Sequence, residues 1–92
     1  MPSARATGLQ RFLDAGGRLR VMPSARADRL AALHHLAAKF EDREHTEREV
    51  NDVLNAWATF GDPAWLRREM FEAGLLARDP FGRAYRVVRD AP

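Results

Sequence analysis

TEREVNDVLNAWATFGDPAWLRREMFEAGLLARDPFGRAY, residues 46–85, reads as helix, tight connection, helix and short hairpin. Thr46-Glu47-Arg48-Glu49 is a capping box. The Thr46 hydroxyl accepts from the backbone N–H three residues on, and the Glu49 carboxylate reaches back. Behind it Val50, Val53, Leu54 and Trp57 fall at i, i+3, i+4 and i+7, one face of a helix. Gly61-Asp62-Pro63 breaks the chain and restarts it, with Asp62 as N-cap and Pro63 at the first helical position. Leu66, Met70 and Ala73 form the core side of the second helix, and Gly74 stands where a C-terminal glycine belongs. Leu75 to Arg78 and Arg83 to Val88 flank the turn sequence Asp79-Pro80-Phe81-Gly82. Two helices followed by a hairpin form the core of a winged helix-turn-helix, a small α+β fold.

Outward from this stretch the pattern stays consistent. Thr7 to Ala15 reads as a short extra helix, with Leu9, Phe12 and Leu13 on its apolar side and Gly16-Gly17 as its stop. Arg18-Leu19-Arg20-Val21-Met22 alternates with period two and reads as a strand. It is expected to pair with the hairpin in a three-stranded antiparallel sheet. Pro23 ends it, Ser24 caps the next helix, and Leu30, Leu33, Ala37 and Phe40 make that helix's apolar stripe. Residues 7–89 are expected to form one domain, with flexible ends at 1–6 and 90–92. The hexapeptide Met1 to Ala6 recurs at Met22 to Ala27, but nothing around the two copies matches, so it is not a structural repeat.

Composition narrows the function classes. Ninety-two residues, 46% of them hydrophobic, suffice for one small core. The lack of cysteine excludes disulfides and thiolate metal sites and fits a cytoplasmic protein. No apolar run approaches the roughly 20 residues that span a bilayer, no membrane partner is implied, and the first residues lack the apolar core of a signal peptide. The net charge is only +2, but it is unevenly spread: residues 1–29 carry +4, residues 30–73 carry −4 and residues 74–92 carry +2. Fourteen of the fifteen basic residues are arginine. Arginine suits bidentate phosphate contacts, although GC-rich coding also favours it.

Between Gly17 and Tyr85 the chain resembles a prokaryotic domain family of unknown function, whose members occur alone or fused behind ArsR-type helix-turn-helix regulators. The resemblance lies in Gly17-Arg18-Leu19, Met22-Pro23-Ser24, Leu36-Ala37-Ala38-Lys39-Phe40, Thr46-Glu47-Arg48-Glu49-Val50-Asn51 and Leu66-Arg67-Arg68-Glu69-Met70. Gly74-Leu75-Leu76, Arg78, Gly82 and Tyr85 complete it. It implies a winged-helix-like domain in a nucleic-acid-binding, transcription-regulatory setting. The chain departs from the family at Ala25, Ala27 and Asp28, where members tend to carry lysine or arginine.

The candidate residues follow. Winding Pro63 to Ala73 at 100° per residue turns Trp65, Arg68, Glu69 and Glu72 outward, with Arg67 and Phe71 on the flanks. In a DNA reader this face enters the major groove, and Arg68 addresses guanine. The competing structural reading is an Arg68–Glu72 pair on a helix that only packs. Arg18, Arg20, Arg83 and Arg86 are expected on the outer side of the sheet, with Arg78 and Arg89 at its ends, a footprint for a polyanion. Alternatively those charges protect exposed strand edges. The candidate nucleic-acid-binding residues are thus Arg18, Arg20, Arg67, Arg68, Arg83 and Arg86. His34, His35 and His45 offer no i,i+4 pair, so no metal site is expected. No cofactor is implied. No nucleophile, phosphate loop or zinc motif points to catalysis. The leading expectation is weak, mainly electrostatic binding of double-stranded DNA. The alternative is a non-enzymatic interaction domain, a homodimer or a partner of a regulatory protein, using the acidic helical middle or an apolar patch around Trp57, Phe60 and Trp65.

Overall fold

The computed structural model describes residues 8–89, so the expected flexible ends at 1–6 and 90–92 and the Thr7 cap lie outside the described residues. Three helices are α1 (Arg26–Ala37), α2 (Glu47–Trp57) and α3 (Pro63–Glu72). A hairpin of β1 (Leu76–Arg78) and β2 (Tyr85–Val87) follows them. The chain is therefore α+β, with a two-stranded antiparallel sheet in the register Leu76↔Val87, Ala77↔Arg86, Arg78↔Tyr85.

Helix α2 starts as its sequence requires. Glu49 N–H donates to Thr46 Oγ1 at 3.1 Å, and Thr46 N–H donates to Glu49 Oε1 at 2.9 Å. The Thr46 N–H holds the Glu49 carboxyl below the usual carboxylate range, helped by Arg43. Val50 and Leu54 are fully buried, while Val53 and Trp57 pack half-buried against the same core. Asp62 caps α3 by accepting from Trp65 N–H at 3.3 Å, with Pro63 in the first turn. The far end of α3 closes with Gly74 at φ 79°. There Leu75 N–H reaches Met70 O at 2.9 Å and Gly74 N–H reaches Phe71 O at 3.1 Å, the two bonds of a Schellman closure. That turn delivers Leu75 and Leu76, both buried, directly into the hairpin.

The elements before α2 depart from expectation in four respects. Among the described residues of the first segment, the helix ends at Gln10. The cause is Asp14, whose carboxylate accepts from Gly16 N–H at 2.9 Å and Arg18 N–H at 2.8 Å. Such local side-chain bonds offer the backbone an alternative to helix, and the chain folds back so that Leu13 bridges Leu19. Secondly, the segment at Arg18 to Met22 does not join the hairpin. Leu19 N–H donates to Trp57 O at 2.8 Å, and Thr59 N–H donates to Leu19 O at 2.9 Å. This seats Leu19, fully buried, beside Ala58 at the C-terminal end of α2. The place beside β2 goes to His45, which exchanges two 2.8 Å backbone bonds with Tyr85. Thirdly, α1 is preceded by Ala25 without a side-chain cap, not by a Ser24 cap. Finally, α1 stops at Ala37, so Phe40 does not share its helical phase. The buried face is Ala32, Leu33, Leu36 and Ala37, which leaves Leu30 at 38% exposure.

Candidate functional site

The largest contrast with the sequence reading is the distribution of arginines. Helix α2 has 11 residues and is thus about 16 Å long at 1.5 Å per residue. Leu19 lies at its C-terminal end, and Tyr85 with the hairpin lies at its N-terminal end. Arg18 and Arg20 are therefore not on the outer side of the sheet with Arg83 and Arg86. Arg18 pairs with Asp14 at 2.9 Å, and Arg20 donates to the carbonyls of Leu13 and Arg11 at 3.3 and 2.5 Å. Alternation placed these two arginines on one face of a strand. It carried no information on which partner that strand would find.

A cleft of about 410 Å³ opens between α3, the start of α2 and the hairpin. Arg67, Arg68, Phe71 and Glu72 of α3 line one wall, and Arg78 and Tyr85 line the other. Glu47 stands at its α2 edge. Arg67 is committed to the protein: it donates to Asn51 Oδ1 at 2.5 Å and lies 3.7 Å from Glu47 Oε2. The Tyr85 hydroxyl donates to Glu47 Oε1 at 3.2 Å. This network ties α3 to α2 and to β2, and it fixes the width of the cleft.

Arg68 makes no ion pair or side-chain hydrogen bond among the described residues, and the expected Arg68–Glu72 pair is not formed. Glu69 instead takes Arg29 of α1 at 2.6 Å, which turns one carboxylate away from the exposed side of α3. Arg29 also lies 5.8 Å from the Trp65 ring centroid, and Trp65 packs half-buried against the core. Glu72 is thus the carboxylate of α3 that faces the cleft without a cation.

Arg78 shares the inner face of the hairpin with Leu76, but it projects beyond the core. Its guanidinium lies 5.3 Å from the Phe71 centroid. A smaller depression of about 210 Å³ shares Arg78 and Tyr85 with the cleft and extends to Arg86 on the outer face, with Glu44 and Asp79 also in its lining. At the turn, Arg83 lies 5.2 Å from the exposed Phe81 ring. Arg68, Arg78, Arg83 and Arg86 thereby form a basic margin along α3 and the hairpin; none of the four makes an ion pair among the described residues, although Glu47 and Glu72 line the same cleft and Asp79 lies near Arg83. The sequence reading named Arg68, Arg83 and Arg86 but left Arg78 at the end of the sheet. The strand register, which pairs Arg78 with Tyr85 on the helix-facing side, is what brings it into the cleft. Phe81 also escaped notice, although an apolar aromatic inside a turn sequence was a visible signal.

The histidines stand apart. His34 is exposed, and His35 Nε2 lies 2.8 Å from Gly17 O. His45 is buried, with its ring edge-on to Phe40 at 5.4 Å. No cluster of three or more histidines or carboxylates among the described residues is placed to hold a metal ion. No helix among them is long and apolar enough to cross a membrane.

The sequence pattern of DUF2087, uncharacterized proteins conserved in bacteria, matches residues 18–87. The chain belongs to this family. The DUF2087 match takes in α1, α2, α3 and the whole hairpin, and with them every residue of the cleft. No curated protein and no solved structure matches the chain significantly.

Proposed function

We propose that this domain binds double-stranded DNA in a transcription-regulatory setting, as a winged-helix module with α3 as the recognition helix and the hairpin as the wing. The order of elements supports this reading. Helix, single bridging residue His45, helix, helix and hairpin follow one another, and His45 sits beside β2 where a winged helix has its third strand. The observation that carries the proposal is the basic margin of Arg68, Arg78, Arg83 and Arg86. Unpaired guanidiniums on one helix and one hairpin suit the phosphate backbone, and Arg68 is placed to reach a base edge. Fold likeness alone would be analogy; the charge arrangement is specific to these residues. Arg67 acts behind the surface by holding α3 in place.

A labelled duplex titrated at two salt concentrations, followed by fluorescence anisotropy, tests the proposal. Three phosphate contacts, from Arg78, Arg83 and Arg86, give a log–log salt slope of about −2.7. Sequence preference is weak, because Arg68 alone addresses bases. No binding at low salt with protein well above ~10⁻⁴ M, where non-specific binders respond, ends this reading.

The second reading is self-association. It no longer draws on Trp57, Phe60 and Trp65, which pack half-buried against the core. It draws instead on a groove between α1, the end of α3 and β2, bordered by the exposed side chains of Leu30 and Val88. Sedimentation at rising concentration tests it, and a strictly monomeric species removes it.

A further inference from the structure

Phe81, at the tip of the hairpin, is 76% exposed, the most exposed large apolar side chain among the described residues. Single exposed apolar residues are common and need no explanation. This one differs because its backbone is fixed. Asp79 Oδ1 accepts from Phe81 N–H at 3.1 Å and from Arg83 N–H at 2.9 Å. Gly82 N–H donates to Asp79 O at 3.0 Å, and Asp79 N–H donates to Ala84 O at 2.9 Å. Pro80 restricts its own φ, and Gly82 adopts φ 69°, which L side chains rarely reach. The tip is also braced from below. Arg78, whose guanidinium covers Phe71, has its Nη1 4.0 Å from where a Cβ on Gly82 would stand. A hydrogen-bonded turn therefore presents one exposed aromatic ring with Arg83 against it and Arg78 beside the turn.

Resting on the duplex-binding reading above, we propose that Phe81 is an apolar wedge, inserted from the minor groove into a single base step. Apolar side chains used in this way partly unstack the step and kink the duplex by about 20–90°. Arginines beside the wedge hold the phosphates that the kink draws in. Arg83 exchanges its contact with the Phe81 ring for a phosphate as the ring enters the stack. The cost of the kink depends on the step being opened and is lowest at pyrimidine–purine steps such as TA. The domain thus selects DNA by deformability, which suits a surface with a single arginine near base edges.

Short duplexes with a donor and an acceptor at their ends, one with a central TA step and one with a stiff A-tract, test the wedge by energy transfer. Wild-type protein shortens the end-to-end distance of the TA duplex. Phe81→Ala binds that duplex about tenfold more weakly, within the range for losing one base–aromatic contact, and leaves it straight. Phe81→Leu, which keeps an apolar wedge, retains the bend. Phe81 supports no core contact, so circular dichroism of both variants matches wild type. Binding by wild type without bending, or equal bending by Phe81→Ala, overturns the wedge and leaves the duplex-binding reading intact. Absence of wild-type binding to either duplex at low salt overturns both.

Discussion

Thr46 and His45 are neighbours with opposite energetic roles. Thr46 satisfies a backbone donor of α2 that nothing else reaches, and Glu49 returns the bond. Thr46→Ala is expected to cost about 0.5–2 kcal/mol, measurable by urea unfolding with an unchanged m value. Leu54, fully buried on the face that this cap sets in phase, gives the larger loss: Leu54→Ala costs about 2–5 kcal/mol in the same assay. His45 is buried at 3% exposure, and its Nδ1 has no hydrogen-bond partner among the described residues. An unsatisfied buried polar atom costs about 1–3 kcal/mol. His45 holds β2 through its backbone, which survives substitution. His45→Phe therefore keeps the edge-on contact with Phe40 and removes the stranded nitrogen. It is expected to raise stability by about 1 kcal/mol; a loss of stability would show that the imidazole has a use the packing does not reveal.

At the scale of elements, the hairpin depends on Asp79. The strands are three residues each, and so short a pair is marginal without its turn. The Arg83 backbone N–H, helped by those of Phe81 and Ala84, holds the Asp79 carboxyl below its ordinary value of 3.8. A carboxyl whose folded pKa is lowered contributes its full stabilisation above the unfolded pKa and loses it as pH falls through the folded pKa. The turn is therefore expected to be unaffected by acidification to about pH 5 and to loosen below the ordinary carboxylate range. NMR titration of Asp79 should give a midpoint under 3.8. Amide protection at Phe81 and Arg83, taken relative to the intrinsic exchange rate at each pH, should fall below that midpoint, and in Asp79→Ala at neutral pH. Unchanged exchange in the variant would mean that Pro80 and Gly82 hold the tip without the carboxylate.

For the whole molecule, helix α2 acts as a spacer. It keeps the Leu13–Leu19 bridge at one end and the hairpin at the other, so Arg18 and Arg20 stand apart from Arg83 and Arg86. The salt dependence of duplex binding separates the two ends. Arg86→Glu is expected to weaken binding on every sequence and to bring the slope nearer zero by about 0.9, one phosphate contact. Arg18→Glu, at the other end and engaged with Asp14, leaves the slope unchanged. Equal effects of the two substitutions would return the interface to the sheet-wide cluster that the sequence suggested. Glu72→Gln, which removes the unpaired carboxylate of the cleft, tightens binding, whereas Glu69→Gln does so less because Arg29 already neutralises Glu69.

The sequence by itself determined the elements whose signals are local. The Thr46 capping box, the Asp62-Pro63 helix start, the Gly74 helix end and the turn around Asp79 are each specified by residues within six positions of one another. Their geometry is set by hydrogen bonds between near neighbours in the chain, which need no distant partner. The buried residues of α2 and α3 follow from helical period, which needs only a core to turn toward, except at Ala73, which lies past the end of α3 and is exposed. Tertiary structure decided what period cannot express. Leu19 alternates like a strand residue wherever it pairs, and only the backbone groups left open at Trp57 and Thr59 direct it to the end of α2. The same holds for charge. Residues 30–73 are acidic in sum, yet Glu69 is drawn to Arg29 and Glu47 lies against Arg67, contacts made across 40 and 20 positions of sequence. Those long-range pairings take up two carboxylates and leave Arg68 and the hairpin arginines without ion pairs among the described residues, beside the unpaired Glu72.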